Sequence, residues 1–328
     1  MKILHTLAIS AAFTVFVGGL AAPTAHAQSN AYPNRPIKLI VAWSPGGATD
    51  ILARQIGTDM SRQLGQPVVV DNRPGAVGTI GQAEVAKAAP DGYAMVLATN
   101  STYSIAPHLI KNLPYKADAF APISLLAVSP LILTVKPAST VRSVAELLEV
   151  ARKTPGSLNY SSGGNGSTSH LASELFMDLT KTSMTHIPYK GGGPATMAIA
   201  MGEVDAGFVD LGVAIPLIAA GRLKAIAVTG STRSTLLPDV PTVGESGVAQ
   251  FDATTKFALF APAGTPKPVI DKLYEAVRTV MAVPDLRDKL RRQGVEIVAS
   301  TPDDLRKDVV ESAAKWGRVI SERQIHLD

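Results

Sequence analysis

The sequence predicts an α/β protein in which mostly parallel sheets are flanked by helices. Short apolar runs rich in valine and isoleucine, typical of buried strands, alternate along the chain with amphipathic helical patterns. Strand, helix and strand in repetition place helices over both faces of a parallel sheet. With 328 residues, 46% of them hydrophobic, the chain can bury a sizeable core, and we expect two domains.

The first 27 residues have the pattern of an export signal. Lys2 precedes an apolar stretch over residues 7–20, and Ala25-His26-Ala27 has the small-x-small spacing of a cleavage site. The alternative is a membrane anchor, but the stretch is short for a span and two glycines interrupt it. We therefore expect an exported chain that begins near Gln28.

Composition excludes several classes of function. The chain has no cysteine, so it has no disulfide framework, no lipid-anchored cysteine and no thiolate site. Its net charge of +4 is dispersed, which argues against a nucleic-acid partner. The histidines lack the spacing of zinc ligands. We expect neither a metal nor a cofactor.

Nine runs along the chain predict strands. In order they are "IKLIVAW", "PVVVD", "YAMVLAT", "LILTVK", "LNYSS", "MTHIPY", "AGFVD", "LKAIAVTG" and "KFALFAP".

Helices are predicted between these strands. A repeat every four residues starts at Leu52 and ends before Gly65. Capping-box spacing predicts helix starts at Thr79 with Gln82 and at Ser143 with Glu146. A further helix contains Pro194 in its first turn and stops at Gly202. After the last strand the chain is mostly helical, with Pro268 and Pro302 at starts and Gly294 at a stop.

Three glycine-rich turns join a predicted strand to a predicted helix: "WSPGGATD", "SSGGNGSTSH" and "YKGGGPAT". The amides of a first helical turn have no partner within the helix, and the helix dipole favours a negative charge there. Glycine lets a ligand approach the backbone closely. One such turn is weak evidence, but three in one chain predict a site for an anionic group.

Enzyme motifs are incomplete. "GGNGST" lacks the lysine of a phosphate-binding loop, and "GESGV" lacks the final glycine of a nucleophile elbow. His170 has no acidic or nucleophilic partner placed by a motif, so we interpret it as a helix-start residue that caps or packs.

Three side chains near these turns each allow two interpretations. Asp50 either complements the dipole of its helix or shapes the binding turn by a hydrogen bond. Asp210 ends a strand, so it either caps the next helix or accepts a hydrogen bond from a ligand hydroxyl or amine. Trp43 either belongs to the core or forms an aromatic wall of the site.

The order and spacing of many segments identify a family. They include "SPGGATDILAR", "VVVDNRPGA", "AKAAPDGY", "LNYSSGGNGSTSHLASELF", "HIPYKGGGPA", "LPDVPTVGESG" and "LFAPAGTPKPV". Together they resemble the periplasmic solute-binding proteins of tripartite tricarboxylate transporters, also called Bug receptors. The resemblance covers nearly all of the mature chain.

The resemblance implies a two-lobed, type II-like periplasmic binding protein without catalysis, in which each lobe is a mostly parallel sheet flanked by helices. Lobe 1 would comprise residues 31–127 and 252–328, and lobe 2 residues 128–251. The lobes would close by a hinge on a small carboxylate such as a di- or tricarboxylate, an acidic amino acid or an aromatic acid. Partners would be membrane components of the transporter, and the protein would be a periplasmic monomer.

In this family the turn after the first strand, a facing turn of the second lobe and two residues after a first-lobe strand form the cleft. With Trp43 and Asp210, the expected ligand-binding residues are therefore Trp43, Ser44, Gly46, Gly47, Ala48, Thr49, Asp50, Asn100, Ser101, Gly163, Asn165, Gly166, Ser167, Thr168 and Asp210. Two departures bear on ligand choice: Val77 stands where relatives often have glycine, and Lys256 where they commonly have tryptophan.

Two other functions use the same cleft. A sensor would present its bound carboxylate to a signalling partner, and the sequence does not distinguish this function from transport. A periplasmic hydrolase or lyase is disfavoured by the missing catalytic motifs.

Overall fold

The computed structural model describes residues 32–326, so the predicted export signal lies outside the described residues. The elements in chain order are β1 (Ile37–Val41), α1 (Ala48–Leu64), β2 (Val68–Asn72), α2 (Thr79–Ala86), β3 (Ala94–Thr99), α3 (Ala106–Leu109), β4 (Phe120–Val135), α4 (Val144–Lys153), β5 (Asn159–Ser162), α5 (Thr168–Thr180), β6 (Thr185–Pro188), α6 (Gly192–Met201), β7 (Ala206–Asp210), α7 (Leu211–Ala219), β8 (Lys224–Val228), β9 (Thr254–Pro262), α8 (Lys267–Met281), α9 (Pro284–Arg292), β10 (Glu296–Ile297) and α10 (Pro302–Glu322).

The sheet is mixed, with parallel strands outside and antiparallel strands at its centre. Its order is β2-β1-β3-β9-β4-β7-β5-β6, and β8 and β10 pair with β4 off this path. β1 runs parallel to β2 and β3, and β5 runs parallel to β6 and β7. β9 and β4 are antiparallel to each other and to β3 and β7. The alternation of strands and helices predicted the outer strands but not this antiparallel centre.

β4 takes part in both halves of the sheet. Its residues from Phe120 to Pro130 pair with β9, and those from Leu131 to Val135 pair with β7. Its 16 residues far exceed the six-residue run that predicted it, because the run "FAPISLLAVSP" before Leu131 continues the strand.

Apolar side chains cover both faces of each half. α1 and α8 pack on one face of β1, β3 and β9, and Val85 and Leu305 pack on the other. α5 and the C-terminal part of α10 pack on one face of β5 and β7, while α6 and α7 pack on the other. The result is the three-layered arrangement that alternating strands and helices imply.

Most predicted helix signals are confirmed, and one is wrong. Gly65 and Gly202 end α1 and α6 in the left-handed conformation, and Ser143 caps α4 by accepting from the amide of Glu146. α2 does begin at Thr79, but its N-cap is Gly78 and no side chain caps it. The Thr79 hydroxyl instead donates to the carbonyl of Ala76, so the predicted capping box does not form.

The last helix connects the two halves of the sheet. Lys256 of β9 forms an ion pair with Asp308 in the N-terminal half of this helix, α10. Arg323, just after its end, donates to Glu174 of α5 at 3.1 Å. Trp316 lies between these points and is 2% exposed. None of the described helices is both long and apolar enough to cross a membrane.

Candidate functional site

A cavity of about 390 Å³ lies where several strands end and helices begin. In parallel sheets this edge collects helix amino ends, which favour anions. Its walls are formed by Trp43, Ser44, Pro45, Gly46, Gly47, Ala48, Thr49, Thr99, Ser101, Leu131, Gly163, Ser167, Thr168, Ser169, Lys190, Gly191, Gly192, Gly193, Pro194, Ala195, Phe208, Val209, Asp210, Thr255 and Phe257.

The first wall is the turn between β1 and α1. Gly46 adopts φ +80°, a conformation that glycine takes without strain. Gly47 is the N-cap of α1, and no side chain caps this helix. The amides of its first turn, including those of Ala48 and Thr49, therefore remain available to a ligand.

Asp50 supports this turn from behind and does not line the cavity. Its Oδ2 atom accepts from the Gly46 amide at 2.9 Å and from Arg54 at 3.0 Å, and Oδ1 accepts from Asn72 at 3.0 Å. Burial acts to raise the pKa of Asp50, but the hydrogen bonds from these three groups outweigh it and hold the pKa below the ordinary value. Asp50 shapes the turn while its carboxylate points away from the ligand space.

The second wall is the turn between β5 and α5. Ser167 caps α5 by accepting from the His170 amide at 3.2 Å, and the Gly163 amide donates to Ser169 at 2.9 Å. Gly163, Ser167 and Thr168 line the cavity. Asn165 and Gly166 do not.

Two stacked histidines hold this second turn. The rings of His170 and His186 are 4.1 Å apart and 8° from parallel. His170 Nδ1 accepts from the Gly166 amide at 3.1 Å, and His186 Nε2 lies 2.6 Å from the hydroxyl of Ser162. Burial lowers the pKa of each histidine to about 4, so both rings are neutral at pH 7. His170 thus packs and caps near its helix start, as predicted.

The third wall is the turn before α6. Gly191 is the N-cap with φ +112°, and no side chain caps the helix. Lys190, at the same turn, is the basic side chain among the residues of the cavity wall. The sequence identified this glycine-rich turn, but its residues were absent from the expected ligand-binding set. The repeated glycines before Pro194 were the signal that pointed to it.

Asn100 and Ser101 join the end of β3 to the second turn. Asn100 is 1% exposed and outside the cavity wall. Its Nδ2 donates to the Thr254 carbonyl at 3.0 Å, and its Oδ1 accepts from the Lys256 amide at 3.1 Å. Ser101 lines the cavity, and its hydroxyl lies 2.8 Å from that of Thr168.

Aromatic and aliphatic side chains complete the walls. Trp43 lines the cavity and donates from Nε1 to the Thr99 hydroxyl at 3.1 Å. Leu131, Phe208 and Phe257, which no local motif indicated, provide further apolar surface. A small ligand with an apolar body and anionic ends fits this combination.

Asp210 ends β7 and lines the cavity. It occupies the N-cap position of α7, yet its side chain makes no capping hydrogen bond. Burial raises the pKa of this carboxyl, and the Thr255 hydroxyl lowers it in part.

Comparison with known proteins places these features in a family. Residues 52–325 match the sequence profile of the "Tripartite tricarboxylate transporter family receptor". The structure of Rpa4515 from R. palustris with adipate is 34% identical with a TM-score of 0.84, over 90% of this chain and 99% of that one. The periplasmic binding protein BugD is 33% identical with a TM-score of 0.81, over 90% and 99% of the chains. MatC from Rhodopseudomonas palustris with bound malate is 33% identical with a TM-score of 0.80, over 88% and 100%.

Proposed function

We propose, because this chain belongs to the tripartite tricarboxylate transporter receptor family, that it captures a small organic carboxylate and delivers it to the membrane components of such a transporter. The family consists of periplasmic solute-binding receptors and not of enzymes, as the sequence predicted, and the chain has their mixed α/β fold. Di- and tricarboxylates, acidic amino acids and aromatic acids are the proposed ligand classes. Adipate and malate, found in two relatives, belong to the first class.

The observation that carries this proposal is the meeting of three helix amino ends at one cavity. α1 and α6 have no side-chain cap, and α5 adds its own first turn beside them. Their amides and dipoles favour negative charge from several directions. Two anionic ends of one ligand can therefore be held by the backbone, with Lys190 adding a positive charge nearby.

Capture is proposed to occur by closure of two lobes, residues 31–127 with 252–328 and residues 128–251. The change of partner along β4, from β9 to β7 after Pro130, supports a boundary in this strand. The contact between Ser101 and Thr168 supports a state in which the two turns lie against each other. Small-angle scattering with and without ligand tests closure, since a hinge movement reduces the radius of gyration.

Export is proposed to remove residues 1–27, which leaves a mature chain that begins near Gln28. The mass of the protein recovered from the periplasm tests this proposal. A mass that includes the first 27 residues contradicts it.

A thermal-shift screen with organic acids, followed by calorimetry, tests ligand capture. An acid present at 100 times its dissociation constant adds about 2.7 kcal/mol to the free energy of unfolding. We expect at least one carboxylate to raise the melting temperature, and the corresponding neutral amide to leave it unchanged. A panel in which no carboxylate binds, or in which amides bind equally well, contradicts the proposal. Retention of the transporter's membrane subunits by the liganded protein tests delivery.

A further inference from the structure

The cavity contains one feature that anion capture does not explain. Asp210 is the acidic side chain among the residues that line it. A carboxylate beside helix amino ends competes with a ligand carboxylate for the same amides and repels it. Its presence in this wall therefore needs a structural or a functional reason.

A capping role does not supply that reason. Asp210 stands at the N-cap position of α7, where an aspartate usually accepts from a first-turn amide. In this protein its side chain makes no such bond. The carboxylate points instead toward the start of α6, where a Cβ atom added to Gly192 would lie 3.0 Å from Oδ2.

Protein partners leave the carboxylate incompletely satisfied. The Thr255 hydroxyl lowers the pKa of the Asp210 carboxyl by a hydrogen bond, but burial outweighs it. Lys190 lines the same cavity but forms no ion pair with it. A carboxylate has about four acceptor sites, and Asp210 lines the cavity, so it has acceptor capacity to offer to a ligand.

We infer that Asp210 selects carboxylates that carry a hydroxyl or ammonium group, and that it disfavours unsubstituted dicarboxylates. This inference rests on the proposed function. The backbone amides supply donors for the ligand carboxylates, and Asp210 supplies the acceptor that the amides cannot provide. An unsubstituted dicarboxylate would displace water from Asp210 without offering it a hydrogen-bond donor. Such a ligand would therefore bind more weakly than one that carries a hydroxyl or ammonium group.

Matched acids test the inference by calorimetry. The series is succinate, malate and aspartate, then adipate with its 2-hydroxy and 2-amino derivatives. We expect the tightest substituted acid to bind the unaltered protein about 10- to 100-fold more tightly than its plain counterpart, as a hydrogen bond to a charged group implies. In Asp210→Asn, the ratio between the affinity for the substituted acid and that for the unsubstituted acid should fall close to one. The main cause should be tighter binding of the unsubstituted acid. The ratio should fall further for the ammonium ligand than for the hydroxyl ligand, because the asparagine amide oxygen can still accept a hydrogen bond from a hydroxyl.

Glu149→Gln is the matched control, because it removes one negative charge from an exposed side chain of α4 outside the cavity. It should retain the original ratio. Circular dichroism checks folding, and Asp210→Ser provides a second variant if the asparagine variant unfolds. Equal binding of plain and substituted acids, or an unchanged ratio in both Asp210 variants, overturns the inference and leaves the proposed function intact. Failure of every acid to bind the unaltered protein contradicts the proposed function itself.

Discussion

The hydroxyl oxygens of Ser101 and Thr168 lie 2.8 Å apart and join the end of β3 to the start of α5. Both residues are buried, at 2% and 5% exposure, and Thr168 also donates to Asn100 Oδ1 at 3.2 Å. The side chain of Asn100 also forms two hydrogen bonds with backbone groups of β9. A short chain of polar groups therefore links the second turn of the cavity to the strand at the centre of the sheet.

Thr168→Val should destabilise the protein, because valine has nearly the shape of threonine but leaves Ser101 and Asn100 short of a partner. We expect the free energy of unfolding to fall by about 1–3 kcal/mol. Urea denaturation measures this change. Thr58→Val, at an exposed position of α1, is the control and should stay within about 0.5 kcal/mol. Equal effects of the two substitutions would contradict the role of the buried contact.

Gly47→Val should abolish most ligand binding and leave the fold intact. Gly47 has φ −79°, which valine adopts readily, and an added Cβ atom would meet nothing closer than the Ser44 carbonyl at 3.5 Å. The larger side chain would instead fill the space where a ligand approaches the amides of α1. Calorimetry should show a much greater loss of affinity than for Ser167→Ala.

Ser167→Ala is the variant to compare with Gly47→Val, because its main effect should be on stability and not on ligand affinity. The Ser167 hydroxyl caps α5, and loss of such a cap costs about 1 kcal/mol. If Ser167→Ala lowers affinity more than Gly47→Val, ligand capture does not depend on the backbone amides of α1.

Acid should destabilise the protein through the stacked histidines. Burial lowers the pKa of His170 and of His186 from 6.5 to about 4, so the unfolded chain binds more protons than the folded protein between these values. Stability is therefore greatest above pH 6.5 and decreases as the pH falls toward 4. The contribution of His170 is on the order of 3 kcal/mol.

Denaturation at pH 7.5 and pH 4.5 measures the size of this loss. His170→Phe keeps an aromatic ring in the stack but cannot titrate, so its stability should depend less on pH than that of the unaltered protein. His326→Gln, at an exposed position near the C-terminus, should leave the pH dependence unchanged. A steeper acid loss in His170→Phe would show that the sign of the effect is wrong.

Trp43 should report ligand binding by fluorescence. It lines the cavity, whereas Trp316 is buried in the core with α5 and α10. A bound carboxylate would displace water from the indole of Trp43 and place a charge beside it. Trp43→Phe should remove most of the signal but retain binding by calorimetry, and Trp316→Phe should retain the signal. A signal that survives Trp43→Phe and disappears in Trp316→Phe would place the response in the C-terminal helix.

Local patterns predicted the strands and the glycine turns because each depends on neighbours in the sequence. The run "AGFVD" became β7, and the repeat that begins at Leu52 became α1. The antiparallel pairing of β4 with β9 could not be predicted in this way, since residues such as Leu125 and Ala258 are far apart in the chain. The inward direction of Asp50 likewise depends on Asn72, which another strand supplies.

Val77 and Lys256 have features that local patterns do not predict. Val77 adopts φ 57° and ψ 30°, where a β-branched residue is strained. The ammonium group of Lys256 binds Asp308 of α10. Neither conformation nor partner follows from the residues adjacent to these positions.

The central place of β9 in the sheet contrasts with its late place in the chain. β9 lies between β3 and β4, yet it is synthesised after every strand of both halves except the short β10. At about 5–20 residues per second, roughly eight to thirty seconds separate the synthesis of Thr99 from that of Thr254. Until β9 is synthesised, β3 and β4 lack the strand that lies between them in the folded protein. Such a delay would favour the proposed export of this chain, since the exporting machinery would meet a chain that is still open.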